Sequence, residues 1–189
     1  YKPLKTRYQH FNDIMHGGLP RQKIVTIGGL SSFGKSYTLR NIEEDIFDEN
    51  LNPGLYGTVV LCKIDFEMSK DEAILSRVQQ RTGRNFEDIL YSEPDEEITE
   101  AFNAIYEELS SPNIFETFQT YKPDVFYKTA KAFCVEHSDK RQIVLTIDNS
   151  NLIDSEGSDE SSALAELQTI LIRLKRETPN LTIIQLAQL

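Results

Sequence analysis

The chain has 189 residues, 39% hydrophobic and 26% charged, which suits one globular domain with a sizeable core and excludes wholesale disorder. Thirty acidic residues against twenty basic ones give a net charge of -10, which argues against binding nucleic acid by bulk charge. Two cysteines, Cys62 and Cys134, are too few for a disulfide scaffold, and no apolar run reaches the roughly 18 residues of a membrane span, so a reducing, cytoplasmic, non-membrane setting is expected.

Strands and helices alternate along the chain. Residues 23–28, KIVTIG, are a short β-branched run that reads as a buried strand. A glycine-containing turn follows, then a helix with Leu39, Ile42, Ile46 and Phe47 at helical spacing. Asn52, Pro53 and Gly54 carry turn chemistry, and residues 58–66 make a second strong strand. Ser69 and Glu72 form a capping box that opens a helix carrying Ile74, Leu75 and Val78, with Gly83 ending it. Residues 94–110 predict an acidic amphipathic helix with a stripe of Ile98, Ala101, Phe102, Ile105 and Leu109. Residues 114–118 are a candidate strand, and a helix after Pro123 is expected to turn Val125, Phe126, Ala130 and Phe133 inward. QIVLTID at 142–148 is another buried strand; Ser161 to Arg176 is a helix with Leu164, Leu167, Ile170, Leu171 and Leu174 on one face; LTIIQLAQ at 181–188 is the last strand. This alternation predicts an α/β domain over 1–189, a mostly parallel sheet with helices on both faces. Tyr37, Phe47, Phe102, Phe126 and Phe133 read as core aromatics.

Gly29-Leu-Ser-Ser-Phe-Gly34-Lys35-Ser36 matches G-x-x-x-x-G-K-[ST] between a strand and a helix. Glycines let backbone N–H groups curl around anionic oxygens, and the following helix points its positive end at them. Lys35 can reach the β- and γ-phosphates of a nucleotide, and the Ser36 hydroxyl can ligate Mg²⁺. The nucleotide-binding set expected from this loop is Gly29, Ser31, Ser32, Phe33, Gly34, Lys35, Ser36 and Tyr37, with ATP and Mg²⁺ as the ligands.

Asp148 ends a hydrophobic strand, where a carboxylate holds Mg²⁺ or its water; the plainer reading is a strand-end Asp capping the next turn. Glu67 lies just past the second strand and could orient the attacking water, with Asp65 as a rival and an exposed strand-end Glu as the plainer reading. Gln188 ends the last strand at the same sheet edge, where an amide could sense the γ-phosphate. Arg77, Arg81 and Arg84 are the one dense arginine group. They read as a solvated helix face, or as the lid of a small-molecule or nucleotide kinase.

Taken together, these motifs resemble the ATPase domain of the DnaB-type replicative helicases, hexameric RecA-like motors. Phe11-Asn-Asp-Ile-Met-His-Gly-Gly-Leu-Pro is similar to the family's opening segment with its paired glycines, and GLSSFGKS to its phosphate loop. Phe66-Glu67-Met68-Ser69 matches its Glu-Met-Ser motif, in which the glutamate activates water; Ile147-Asp148 and Leu186-Ala-Gln188-Leu189 resemble its Mg²⁺ strand and its sensor strand. The resemblance implies a RecA-like P-loop NTPase core with Glu67, Lys35 and Gln188 catalytic and Ser36 and Asp148 on the metal. It also implies ATP-driven unwinding of duplex DNA by translocation on single-stranded DNA, a homo-hexamer, and a primase or helicase loader as partner.

There are departures from the family pattern. Leu30 and Ser31 stand where the family commonly has Arg and Pro, and Asn149-Ser150-Asn151 where it has Tyr-Leu-Gln. These suggest a divergent, phage- or plasmid-encoded member. The family's arginine finger and main DNA-binding loop lie beyond its sensor glutamine, so this chain is expected to be an incomplete domain with weak ATPase activity by itself. A RecA-like assembly or recombination-mediator module that binds ATP without helicase activity is the other alternative.

The charge is uneven. Segments 43–49, 93–108 and 154–160 hold five, seven and four acidic residues and no Lys or Arg; removing those sixteen negative charges from -10 leaves +6. They are expected on outer helix faces and one solvated loop. A ring needs a positive lining only along its channel, so the low pI does not exclude a DNA motor.

Overall fold

Strands β1 (Lys23–Gly29), β2 (Val59–Asp65), β3 (Ile114–Thr117), β4 (Gln142–Asp148) and β5 (Leu181–Gln188) form one sheet in the order β1-β5-β4-β2-β3, every pair parallel. This computed structural model describes residues 1–30, 34–91, 93, 95–119, 121–153 and 159–188. Helices α1 (Gln9–Ile14), α2 (Lys35–Phe47), α3 (Lys70–Thr82), α4 (Phe86–Tyr91), α5 (Glu96–Leu109), α6 (Pro123–Glu136) and α7 (Glu160–Glu177) make the connections, with a short 3-10 turn over Ser150–Leu152.

The strands alternate faces, as period-2 geometry requires. Ile143, Leu145 and Ile147 of β4 and Ile183 of β5 pack under α6 and α7 with Phe126, Leu167, Leu171 and Leu174. Val144 of β4, with Ile184 and Leu186 of β5, meets Leu39, Ile42 and Ile46 of α2 and the N-terminal Leu4 and Leu19. Each of these fully buried aliphatic side chains contributes about 1.5–3 kcal/mol. A third cluster, Ile74, Val78, Ile98 and Ile105, joins α3 to α5, with Ile89 of α4. No helix among the described residues is long and apolar enough to cross a membrane.

Leu4 and Leu19 exchange backbone hydrogen bonds of 3.2 and 2.7 Å, which folds the N-terminal segment against the start of β1. Gly18 makes this crossing possible. Its φ is +126°, and a Cβ there would lie 2.0 Å from the Leu4 carbonyl oxygen. The Asp45 carboxylate clamps the same segment to α2, accepting from the Arg7 backbone N–H at 2.7 Å and from Arg7 Nε at 2.8 Å.

The predicted strands fall within a residue or two of those observed. Several burial expectations are corrected. Val125 is 43% exposed, because the inward stripe of α6 runs through Phe126, Ala130 and Cys134 at four-residue spacing. Tyr37 is 53% exposed at the open first turn of α2 and is not core. Glu43 and Asp45 are buried, at 5% and 1%, instead of facing solvent, because each meets a basic partner, Lys63 and Arg7. Segment 154–158 lies outside the described residues.

Candidate active-site cleft

Parallel register brings the strand ends to one edge. Gly29 pairs with Gln188, and Asp65 with Asp148. The crevice outside the carboxyl ends of such strands is where α/β sheets bind ligands. A cleft of about 360 Å³ opens there, lined by Gly34, Lys35, Ser36, Tyr37, Glu67, Asp148, Asn149 and Gln188.

Gly34 precedes α2 in the left-handed region, at φ +74°, so the chain turns straight into the helix and the first N–H groups of α2 face the cleft. Lys35 Nζ donates to the carbonyls of Gly29 and Leu30 at 2.9 and 2.7 Å, which holds the ammonium over the loop. Ser31, Ser32 and Phe33 lie outside the described residues. The Ser36 hydroxyl shares the cleft lining with the Asp148 carboxyl and is near enough to lower its pKa. Burial pushes that carboxyl up to about 6, and repulsion from Asp65, Glu67 and Glu43 adds to it, against the lowering effect of the Ser36 hydroxyl. Two oxygen donors set side by side below the phosphate loop fit a hard divalent cation such as Mg²⁺.

Glu67 is exposed on the turn after β2 and lines the cleft. Asp65, the rival, is turned to a different task. Its Oδ1 accepts the backbone N–H groups of Glu67 and Met68, both at 2.8 Å, and so shapes the turn. Burial raises the Asp65 carboxyl above its usual range, and these two N–H groups oppose the rise. The Phe66 N–H donates to the Asp148 carbonyl, fastening the turn to β4. The Ser69–Glu72 capping box then starts α3.

The segment after Asp148 carries a role that sequence reasoning missed. The Asn151 side chain brackets Gln188, its Oδ1 accepting the Gln188 N–H at 3.3 Å and its Nδ2 donating to the Gln188 carbonyl at 3.4 Å. Ser150 Oγ donates to the Leu186 carbonyl at 2.8 Å, and Asn149 Oδ1 accepts from the Asn151 N–H at 3.2 Å. The residues that depart from the family pattern therefore stitch the Asp148 turn to the end of β5. Asn and Ser favour such side-chain-to-backbone bonds, which was the available signal.

A buried charge layer lies beneath the cleft. Glu43 accepts from Thr146 Oγ1 at 2.6 Å and pairs with Lys63 at 2.8 Å, and Lys63 also reaches Glu116 at 3.7 Å. Arg77 pairs with Glu116, Arg81 with Glu108 and Glu44, and Arg84 with Asp95 and Glu97. The three arginines are thus engaged by carboxylates, and the Arg77 side chain is only 11% exposed, so they are not a uniformly solvated face.

No model of a known protein family matches the chain, and no curated protein matches it. Solved structures do. One solved ATPase domain superposes with a TM-score of 0.74 at 16% identity over 98% of this chain and 64% of that one. A DnaB-like replicative helicase, described with its interactions with primase, superposes with a TM-score of 0.74 at 17% identity over 99% of this chain and 44% of that one. The chain therefore spans about two thirds or less of the proteins it matches, and its fold is that of the ATPase domains of DnaB-like helicases.

Proposed function

We propose that this chain is the ATP-binding and hydrolysing motor domain of a DnaB-like replicative DNA helicase, a RecA-like domain over residues 1–189. The observation that carries this reading is the convergence of Lys35, Ser36, Glu67, Asp148 and Gln188 on one cleft at the carboxyl edge of a parallel sheet. The likeness of fold agrees with it.

In this reading the N–H groups at the start of α2 and the Lys35 ammonium bind the phosphates of ATP and offset the charge that develops on them. Ser36 and Asp148 would hold Mg²⁺, which would neutralise charge on the phosphates when bound. Glu67 orients the attacking water and accepts its proton. Gln188, one strand from the phosphate loop, reads the γ-phosphate. Fast turnover draws on an arginine from an adjacent subunit, a contribution of roughly 10³–10⁵ in rate, so the chain alone turns ATP over slowly. The full protein would act as a cytoplasmic homo-hexamer on single-stranded DNA, with a primase or loader as partner.

A kinase would need mobile arginines for a lid, and Arg77, Arg81 and Arg84 are each held by carboxylates. The test compares products. Incubated with Mg·ATP and a nucleoside monophosphate, the chain should release inorganic phosphate and form no diphosphate. Lys35→Ala should weaken ATP binding by about tenfold or more, as loss of a charge-assisted phosphate contact requires. Formation of diphosphate, or full ATP affinity in Lys35→Ala, would contradict the reading.

A further inference from the structure

We propose that Arg40 is a positioning residue, which ties the turn carrying Glu67 to the phosphate-loop helix and so sets the reach of Glu67 into the cleft. The proposal rests on the reading of Glu67 as the group that orients water.

Arg40 sits four residues after Ser36, on the same face of α2 and one turn further into the protein. Its guanidinium spans two parts of the next element. One nitrogen, Nη1, donates to Ser76 Oγ on α3 at 2.7 Å; the other, Nη2, donates to the Met68 thioether sulfur at 3.6 Å. Met68 is the neighbour of Glu67, and its backbone N–H, like that of Glu67, is held by Asp65 Oδ1. The charged groups facing Arg40 are Glu43 on its own helix, Asp148 and Asp65 at the ends of β4 and β2, and Arg77 on α3.

The Glu67 carboxylate accepts no hydrogen bond among the described residues, so its aim depends on the backbone turn beneath it. Besides the Phe66 N–H bond to the Asp148 carbonyl, two side chains hold that turn. Asp65 holds it from the sheet side, and Arg40 holds it from the helix that carries Lys35 and Ser36. A rigid guanidinium fork suits a two-armed clamp of this kind.

Stability alone does not account for an arginine here. The direct partners of Arg40 are a hydroxyl and a thioether, both neutral, and the nearby Glu43, Asp148 and Asp65 carboxylates offset only part of the desolvation cost of its guanidinium. Burial and the nearby Arg77 accordingly pull its pKa below the usual arginine value. What the arginine adds is a fixed distance between two catalytic segments.

The test combines rate, affinity and backbone protection in the 189-residue chain, with protein in excess of ATP so that slow turnover is read directly. Arg40→Met should slow single-turnover hydrolysis about 10- to 100-fold, the range expected for a small misplacement of a catalytic group, while ATP affinity stays within about threefold. Amide hydrogen exchange should quicken at residues 66–69 and stay unchanged along α2. Arg40→Lys should recover part of the rate. In a Glu67→Gln background, Arg40→Met should add less than about a twofold loss, because non-additivity marks residues acting through one another. Should Arg40→Met not fold, Ser76→Ala removes one arm and should quicken the same exchange. A wild-type rate in Arg40→Met, an affinity loss equal to the rate loss, unchanged exchange in whichever variant folds, or an additive loss in the double variant would overturn the proposal and leave the Glu67 reading intact. A wild-type rate in Glu67→Gln would overturn both.

Discussion

Burial and three neighbouring carboxylates hold the Asp148 carboxyl near 6, well above the ordinary aspartate value of 3.8. Because the folded state keeps this proton to higher pH than the unfolded state does, the contribution of Asp148 to stability falls as pH rises from about 4 to 6 and stays lower above that. Asp148→Asn removes this dependence. In EDTA its urea midpoint should exceed that of the wild type at pH 8, and the advantage should shrink as pH falls from 6 towards 4. An advantage that is equal at pH 4 and pH 8 would contradict this. At the same scale, the shared place of Asp148, Glu67 and Gln188 at one cleft was legible in the sequence because each sits at or just past the end of an apolar strand, where position along the strand predicts position in the fold. The tasks of Asp65 and Asn151 were not legible. Each acts through side-chain bonds to backbone groups, and such bonds leave no periodic trace.

Between elements, the charge layer under the cleft and the N-terminal crossing are the two features most exposed to single substitutions. Lys63 pairs with buried Glu43 and also reaches Glu116. Lys63→Met should destabilise the chain by about 3–5 kcal/mol, and Glu43→Gln added to it should recover part of that, since the cost lies in an uncompensated buried charge. Gly18→Ala drives a Cβ into the Leu4 carbonyl and should cost more than about 2 kcal/mol. Gly54→Ala, where φ is +71° and nothing lies within 4 Å, should cost only about 1 kcal/mol. Denaturant midpoints check all three. The strands and long helices were legible because their apolar positions repeat. The six-residue helices α1 and α4 were not, being too short to establish a period. Val125 misled because it adjoins the true stripe of α6.

Across the whole molecule, the sheet order sets β5 between the phosphate-loop strand β1 and the Asp148 strand β4, so Gln188 stands between the two halves of the cleft. The order of strands along the chain is legible in the sequence; their order across the sheet is not, because parallel crossovers of similar length permit several arrangements. The charge of -10 also divides differently from the sequence expectation. Glu43 and Asp45 are internal, whereas the acidic residues of α5 lie mostly outside. A chain with this balance should bind single-stranded DNA weakly by itself, with a Kd above about 10 µM at roughly 150 mM salt that tightens as salt is lowered. A tight complex insensitive to salt, measured by fluorescence anisotropy, would contradict that.

If one cleft both binds ATP and hydrolyses it with Glu67 directing the water, binding and hydrolysis separate when Glu67 loses its charge. The most direct measurement pairs ATP binding with single-turnover hydrolysis in wild type and Glu67→Gln. In Glu67→Gln, affinity should stay within about threefold of wild type and hydrolysis should be at least about 100-fold slower, the loss typical of a missing general base. Hydrolysis by Glu67→Gln at the wild-type rate would contradict it.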